Sequence, residues 1–216
     1  MSFQRYPLPE SGVLEEAPPS WGALPVAIAS NGEAMVPLDR GEAIWIGVSV
    51  PREEPGPSAA CVHLTATRDD GSLIDVLSGV AATAAAAGRR VPPTASVTGI
   101  TRSAGGWFAI ARTVPDGSSS RSIRSLAFVA VPTRSMHVPE PLRRDLPMHS
   151  LALGSGPSRP PVATCDDGPD RSEWDDSRRT TLTVTLVAYE DFRAASDIPL
   201  PEPLHSSEPY RGWRLP

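Results

Sequence analysis

The chain contains 216 residues with a net charge of −5 at pH 7, and all 20 of its basic residues are arginine. Proteins that bind nucleic acid generally present a basic face that replaces condensed counterions, so this acidic balance argues against a nucleic-acid partner. No stretch approaches the roughly 18 consecutive apolar residues of a membrane-spanning helix, which argues against a membrane span.

The composition is unusual in two further respects: the chain contains arginine but no lysine, and it contains 25 prolines. Proline is present at about twice its average share of ~5%. The simplest explanation is a GC-rich coding sequence of bacterial type. The alternative is that the forked donors of arginine serve an anionic ligand, although nothing in the sequence clusters these residues.

The N-terminus and the cysteines bear on the cellular compartment. Residues 1–9 carry one arginine and no apolar run of the kind found at the centre of a secretory signal, so we expect a cytoplasmic protein. Cys61 and Cys165 fit a reducing compartment, with Cys61 as a small buried residue on a strand. Whether the two cysteines pair in a disulfide stays open at this point.

In chain order, residues 1–22 are rich in proline and glutamate and are expected to form an extended arm that stays outside the core. Runs rich in β-branched and aromatic residues follow, bounded by glycine, proline, aspartate or asparagine, and these are typical of strands. The runs cover residues 24–30, 43–50, 60–68, 72–78, 95–101, 107–113, 123–131 and 181–189. Within 43–50, Ile44, Ile46 and Val48 recur at every second position, which predicts one face in the core.

Two hairpins and one helical segment are predicted from local signals. Asp69-Asp70-Gly71 separates two strand-like runs, and Asp-Gly is a strong hairpin signal because glycine accepts a positive φ. Residues 115–120 form a second turn segment, which predicts a longer hairpin between 107–113 and 123–131. The alanine-rich run 80–87 is the helical candidate, although eight residues form only a marginal helix.

Together these elements predict a single all-β domain, an antiparallel β-sandwich or barrel with long proline-rich arms and at most one short helix. The N-terminal arm, 1–22, precedes a β-rich body at 23–153. Residues 154–179 carry proline, glycine, serine and acidic residues, and we expect an acidic surface loop there. The final strand and a proline-rich tail, 180–216, are expected to pack on the same domain.

The usual linear signatures of nucleotide, zinc and hydrolase sites are missing from the sequence. His63, His137 and His149 could converge on a metal only through the fold, because they are not closely spaced. The acidic residues between Asp166 and Asp176 could hold a hard cation, yet their spacing does not fit an EF-hand loop, and a solvated loop is favoured. We predict no metal site and no cofactor.

Candidate catalytic residues come from a predicted sheet rim and a strand. Asp39, Arg40 and Glu42 precede the most apolar strand, where loops supply binding groups. Asp39, Glu42 or His63 could act as an acid or base in an apolar pocket. The simpler interpretation is a solvated turn with an ion pair, and a histidine bonded locally on its strand.

Candidate ligand-binding residues are Arg40, Trp45 and Trp107. The two tryptophans lie on two predicted strands and could form a stacking platform for a planar or sugar ligand. Tryptophan more often packs in a core or at its rim, and that alternative stays open.

Three stretches resemble a family of uncharacterised bacterial and fungal proteins, sometimes labelled integral membrane proteins although they lack obvious spans. Residues 36–46, Val-Pro-Leu-Asp-Arg-Gly-Glu-Ala-Ile-Trp-Ile, are similar to its Val-Pro-Leu and Glu-Ala-Leu-Trp pattern. Residues 129–132, Val-Ala-Val-Pro, resemble its Val-Ala-Met-Pro-Leu strand end, and residues 210–213, Tyr-Arg-Gly-Trp, its terminal Tyr and Gly-Leu-Pro-Trp. A Gln-Pro-Trp-Leu-Asp-Gly-like segment expected near 92–99 is largely lost. The resemblance implies a β-rich fold and supplies no reaction.

Three functions remain open. The first, which we favour, is a noncatalytic β-sandwich module that binds a small molecule or a partner protein, since extended proline-rich arms dock at low ordering entropy. The second is a cofactor-independent enzyme acting on a small organic molecule, which needs only one or two carboxylates or an imidazole in an apolar pocket. The third is a structural or assembly subunit of a homo-oligomer that exchanges its N- and C-terminal arms.

Overall fold

The computed structural model describes residues 1–49, 59–82, 88–91, 96–114, 117–134 and 174–204. Across these residues the protein is mainly β, as the sequence predicts. The strands are β1 (Ser2–Pro7), β2 (Val13–Leu14), β3 (Ala23–Leu24), β4 (Ala27–Ile28), β5 (Ala34–Pro37), β6 (Glu42–Gly47), β7 (Ala60–Arg68), β8 (Leu73–Asp75), β9 (Arg89–Val91), β10 (Ser96–Val97), β11 (Ile100–Thr101), β12 (Trp107–Phe108), β13 (Ile123–Pro132) and β14 (Thr180–Val187). A short helix, α1 (Tyr189–Ala195), follows β14. Within the described ranges no helix is long and apolar enough to cross a bilayer.

A four-stranded antiparallel sheet has the order β10-β6-β1-β3. Its strand β6 follows the predicted alternation, with Ile44 and Ile46 fully buried. Strand β1 lies beside it, and Phe3 and Arg5 are registered opposite Ile46 and Ile44. Opposed residues in an antiparallel pair share a face, so Phe3 and Arg5 point into the same interior. The prediction that residues 1–22 stay outside the core is therefore wrong for β1.

A larger sheet has the order β4-β5-β14-β13-β7-β8, and β9 also pairs with β7. Strands β5 and β14 run parallel, whereas the other pairs are antiparallel. Leu126 and Phe128 of β13 and Leu64 of β7 are buried on one face of this sheet. That face and the four-stranded sheet contribute to one apolar cluster, in which the rings of Phe3 and Phe128 meet edge to face at 6.1 Å.

The outer faces of the two sheets differ. On the four-stranded sheet, Tyr6 and Ala43 belong to a second apolar cluster together with Leu14 of β2 and the buried segment Ala109 to Val114. On the larger sheet, α1 covers the β4–β5 edge through Phe192, which packs with Ala27 and Met35. Among the described residues no further sheet covers the outer face of its central strands.

The two predicted hairpins have opposite outcomes. The Asp69-Asp70-Gly71 hairpin is confirmed, because β7 and β8 pair antiparallel across it and Gly71 has φ +83°. The hairpin between 107–113 and 123–131 is wrong. Strand β12 pairs with β11 and β2, whereas β13 pairs with β7 and β14. Residues 109–114 are an irregular buried segment rather than strand, which places β12 and β13 in different sheets.

The helix predicted at 80–87 is contradicted at its first three residues, and its other five lie outside the described part. In the run 80–87, Ala81 forms a β-bridge with Ile74 and Val80–Ala82 are not helical, while residues 83–87 lie outside the described part. Helix α1 instead follows β14, which ends at Val187, two residues before the predicted end of that strand. Seven residues are too few for a helical periodicity, so burial of Phe192 against the sheet edge stabilises α1.

Candidate functional site

A buried ion pair occupies the interior at one end of the two sheets. Glu42 begins β6 and continues the inward face of Ile44, and Arg5 of β1 is registered opposite Ile44. Arg5 Nη1 lies 3.0 Å from Glu42 Oε1, with Arg5 6% and Glu42 1% exposed. The alternation that buries the apolar residues of β1 and β6 therefore also buries one positive and one negative charge beside each other.

Tyr189, the first residue of α1, completes this polar cluster. Its hydroxyl donates to Glu42 Oε1 at 3.2 Å and accepts from Arg5 Nη1 at 3.0 Å. Burial raises the pKa of the Tyr189 hydroxyl far above its usual value, and the negative charge of Glu42 acts in the same direction. The hydroxyl therefore keeps its proton and serves as the bridge between the two charges.

Backbone groups add further hydrogen bonds to the same cluster, although Nε of Arg5 is buried without a hydrogen-bond partner among the described residues. Arg5 Nη1 donates to the carbonyl of Glu202 at 2.6 Å, and the amide of Leu204 donates to Glu42 Oε1 at 3.0 Å. The amide of Asp39 donates to Glu42 Oε2 at 3.1 Å. The carboxylate of Glu42 thus accepts from four donors, and it joins the turn before β6 to the C-terminal tail.

The sequence-predicted rim residues are placed around this cluster. Asp39 contributes its backbone, since its carbonyl accepts from the amide of Glu42 at 3.2 Å across a turn in which Gly41 has φ +85°. Arg40 is exposed at the tip of that turn. Glu42 is buried among its donors, so a proton acceptor that is free to meet a substrate is not found at its position. The structure does not bring Asp39 or Glu42 together with His63.

Trp45 and Trp107 are half-buried against the second apolar cluster, on the outer face of the four-stranded sheet. Trp107 of β12 is registered opposite Leu14 and Thr101, and Trp45 of β6 opposite Gln4. Nε1 of Trp45 is buried and has no hydrogen-bond partner in the described part of the chain. Both rings use most of their surface for packing, which is the alternative that sequence analysis left open.

A second buried arginine lies at the far edge of the larger sheet. Arg90 of β9 is registered opposite Cys61 of β7 and is 5% exposed. Its guanidinium carbon lies 6.0 Å from the ring centroid of Trp174, a buried residue that bridges to Thr133 beside the end of β13. Nε of Arg90 is buried, and none of the described residues forms a hydrogen bond with it. Within the described ranges, no carboxylate lies at ion-pair distance from this guanidinium, unlike that of Arg5.

The contacts that Arg90 makes with the described residues do not offset the free-energy cost of burying its charge. Burying a charged side chain without a partner costs several kcal/mol even after relaxation. A cation–π contact returns about 2 kcal/mol when it is desolvated. A positive charge in such a place needs an anion, and the described residues do not supply one.

Cys61 and His63 line the outer face of β7 beside Arg90. Cys61 packs with Val131 and Trp174, and its sulfur lies 3.6 Å from Nε2 of the half-buried His63. A Cβ on Gly88 would meet that sulfur and lie 2.8 Å from His63 Nε2, so the two side chains fill the space above this glycine. His63 is on the face opposite to the shared core, whereas Glu42 is inside it.

Cys61 is disulfide-bonded, and Cys165, the other cysteine of the sequence, lies outside the described residues. The expectation of a buried strand residue is confirmed, and the disulfide that sequence analysis left open is formed at Cys61. Disulfides are typical of proteins that fold in oxidising compartments, so Cys61 gives no support to a cytoplasmic location.

The other metal-ligand candidates fall largely outside the described part of the chain. His137 and His149 lie outside it, as do the acidic residues from Asp166 to Glu173. Asp175 is described, and its carboxylate accepts from the amide and hydroxyl of Ser177 in a local turn. Among the described residues no three His, Cys, Asp or Glu side chains group as a metal site would require.

Sequence reasoning missed Arg5, Tyr189, Arg90 and Trp174. The signal for Arg5 was the two-residue step from Phe3, which places it on an inward face. Arg90 offered no local signal, because its burial depends on a strand of three residues that pairs with distant β7.

A comparison of this chain with protein families, with curated proteins and with solved structures finds no match.

Proposed function

We propose that this protein is a noncatalytic β-sandwich binding module that holds the anionic group of a small molecule at Arg90. One observation carries the proposal: Arg90 is 5% exposed, its guanidinium carbon lies 6.0 Å from the Trp174 ring centroid, and no carboxylate among the described residues pairs with it. A bound carboxylate or phosphate group would supply the missing charge and accept from the free guanidinium N–H groups.

The chemistry of the two side chains favours a small planar or tetrahedral anion. A guanidinium presents a fixed fork of donors that matches carboxylate and phosphate oxygens, and it stacks on aromatic faces. The Trp174 ring contributes a cation–π contact to Arg90, with its centroid 6.0 Å from the guanidinium carbon. Because the net charge of the chain is −5, the whole protein does not attract anions, so any anion affinity has to arise locally.

The enzyme alternative has less support. A general acid or base must reach the substrate, yet Glu42 is enclosed by four donors, and His63 lies on the opposite side of the larger sheet. An acid–base pair of Glu42 and His63 would require rearrangement of the core. Catalysis by other residues stays a hypothesis without an observation that favours it.

The assembly alternative is also weakened by the described parts of both arms. Strand β1 pairs with β6 and β3 of its own chain, and residues 202 and 204 bind the Arg5 and Glu42 side chains of the same chain. Both arms therefore use their contacts internally.

A cytoplasmic location and the resemblance to the uncharacterised β-rich family stay predictions, and neither names a ligand.

Calorimetric titration tests the proposal. Sodium acetate, sodium benzoate and sodium phosphate are titrated into the protein at constant ionic strength, with sodium chloride as the reference salt. We expect saturable binding of at least one of these anions to the native protein, and its loss in Arg90→Gln. Arg124→Gln is the matched control, because Arg124 is exposed on β13 and, among the described residues, donates only to the carbonyl of Asp69.

Two results contradict the proposal: no saturable binding of any probe to the native protein, or equal binding by Arg90→Gln. If Arg90→Gln does not fold, Arg90→Lys replaces it, since lysine keeps the charge and loses the fork. We then expect binding to weaken about tenfold.

A further inference from the structure

Cys61 lies in a buried row of side chains that also contains Arg90. In this row, Arg90 of β9 and Val131 of β13 are registered opposite Cys61 of β7, one on each side of it. Opposed residues of antiparallel strands share a face, with Cβ atoms about 4.5–5.5 Å apart. Trp174 packs with Cys61 and Val131, and its ring centroid lies 6.0 Å from the Arg90 guanidinium carbon. The Cys61 sulfur and the Arg90 guanidinium therefore belong to one buried cluster.

A ring nitrogen faces the same sulfur from the neighbouring row. Nε2 of His63, two residues further along β7, lies 3.6 Å from Cys61 Sγ. A Cβ on Gly88 would collide with that sulfur, so the space beside the two side chains is filled. An N–H at His63 Nε2 would donate to a negatively charged sulfur. Arg90 and His63 thus both favour negative charge on Cys61.

The other charged groups near this cluster do not offset the positive surroundings of Cys61. Asp175 follows Trp174, and its carboxylate accepts from the amide and hydroxyl of Ser177. These hydrogen bonds hold the pKa of Asp175 below its usual value, and the charge of Arg134 acts in the same direction. The adjacent Arg89 lies on the other face of β9 and donates to the carbonyl of Leu77. In the described part of the chain, the charge beside the Cys61 sulfur is therefore positive.

These surroundings make Cys61 the leaving group of its disulfide. Cys61 is disulfide-bonded, and the chain contains one other cysteine, Cys165. Arginine and histidine side chains stabilise a thiolate, and a sulfur whose thiolate is stable leaves a disulfide more readily. Because Cys61 is buried beside Trp174, an external thiol is shielded from its sulfur and attacks that of Cys165.

We propose that the Cys61 disulfide is a redox switch of the Arg90 site, in which reduction leaves a Cys61 thiolate that neutralises Arg90. The effect of the switch on ligand binding rests on the proposed function. In the oxidised protein the Cys61 sulfur carries no charge, and Arg90 binds an external anion. In the reduced protein the thiolate is an anion held beside the guanidinium, and it excludes the external one.

The reductant in this step is a dithiol. One of its thiolates attacks the Cys165 sulfur, the S–S bond breaks, and the bonding electron pair stays on Cys61. The second thiol of the reductant displaces Cys165 and closes a cyclic disulfide. The reductant loses two electrons and two protons, and the two cysteines gain the electrons. Cys165 takes one proton, and the other enters the solvent because Cys61 stays ionised.

Two variants separate the thiolate from the loss of the covalent link. Cys61→Ser and Cys165→Ser both remove the disulfide, but only Cys165→Ser keeps a sulfur beside Arg90. Acetate, benzoate and phosphate are titrated calorimetrically at pH 8. We expect the oxidised native protein and Cys61→Ser to bind with similar affinity. Cys165→Ser and the native protein reduced with dithiothreitol should bind at least about tenfold more weakly, because their thiolate competes with the probe.

Thiolate absorbance near 240 nm tests the switch without any ligand. In a pH titration, Cys165→Ser should gain this absorbance about one pH unit or more below the double variant Cys165→Ser, Arg90→Gln, which lacks the neighbouring cation. The double variant Cys165→Ser, Arg124→Gln is the matched control. Its titration should coincide with that of Cys165→Ser, since Arg124 lies exposed on β13.

The outcomes distinguish the switch from the anion site itself. Equal anion affinity of Cys61→Ser and Cys165→Ser, or an absorbance titration that does not depend on Arg90, overturns the switch and leaves the anion site intact. Circular dichroism that shows both Cys165→Ser and the reduced native protein unfolded also overturns the switch, which requires a folded reduced state. Failure of all three anions to bind the oxidised native protein overturns the proposed function, and the absorbance titration still decides whether Arg90 stabilises a Cys61 thiolate.

Discussion

The two buried arginines of this protein have almost the same exposure and opposite surroundings. Arg5 is 6% exposed, and its Nη1 contacts the Glu42 carboxylate, the Tyr189 hydroxyl and the Glu202 carbonyl. Arg90 is 5% exposed and contacts an aromatic ring, with no carboxylate at hand among the described residues. The same side chain is thus neutralised inside the fold in one region and left without an anion in the other.

The difference separates a structural role from a binding role. A buried and hydrogen-bonded charge pair holds chain segments together, and removal of one partner leaves the other charge buried without its counterion. Arg5 and Glu42 join β1, β6, α1 and the tail in this way. A buried charge whose partner is missing instead disfavours the free protein and favours the state in which an anion is bound.

Breaking the ion pair between Arg5 and Glu42 is expected to have the largest effect on the free energy of unfolding. Arg5→Met should lower the free energy of unfolding by about 3–5 kcal/mol, because the Glu42 carboxylate would stay buried without its cation. Urea unfolding followed by circular dichroism measures this value. The double variant Arg5→Met, Glu42→Leu should recover part of the loss, and a single variant as stable as the native protein would remove the structural role assigned to Arg5.

Tyr189→Phe should have an intermediate effect. The variant loses a hydroxyl that bridges two charged groups, which costs about 2 kcal/mol of unfolding free energy. The pKa of Tyr189 is raised in the folded protein, so the unfolded chain releases this proton first as the pH climbs above about 10. The Tyr189 contribution is fully present below that pH and is lost above it.

Denaturation in urea at several pH values between 8 and 11 measures that loss. Native protein should lose stability more steeply above pH 10 than Tyr189→Phe, which lacks the group. Parallel curves for the two proteins would show that Tyr189 ionises equally in both states.

In the absence of ligand, substitution of Arg90 is expected to have the smallest effect on the free energy of unfolding. Arg90→Met should leave the free energy of unfolding unchanged or raise it by about 1 kcal/mol, because it removes a buried charge that has no carboxylate partner within the described ranges. With an anionic ligand at 100 times its Kd, the native protein should gain about 2.7 kcal/mol and the variant nothing. Thermal unfolding with and without acetate or phosphate measures both quantities. A loss of several kcal/mol in Arg90→Met without ligand would mean that Arg90 has an internal partner, as Arg5 does.

Sequence reasoning reached the general architecture and one local turn. The alternation of Ile44 and Ile46 and the Asp-Gly turn after β7 act over a few residues, so a local pattern suffices to predict them. It failed for β1, because proline and glutamate nearby suggested an arm, whereas pairing with β6 buries Phe3 and Arg5. It also failed for the second hairpin, where pairing with distant β2 directed β12 into another sheet.

The candidate site was predicted only in part. Glu42 was singled out by its place before an apolar strand, but its role depends on Arg5 and Tyr189, which are 37 and 147 residues away. Arg90 was one arginine among 20, and its sequence neighbours do not distinguish it. What distinguishes it is the burial that β7 and Trp174 impose, and that burial is set by contacts between distant residues.

The sequence by itself determined that this is a β-rich chain, since a two-residue repeat of apolar side chains requires only local geometry to bury one face. Tertiary structure decided which charges were neutralised, because the partner of a buried ion is chosen by sheet register and not by sequence distance. Arg5 and Arg90 are both arginines, and they differ in the groups that the fold places beside them.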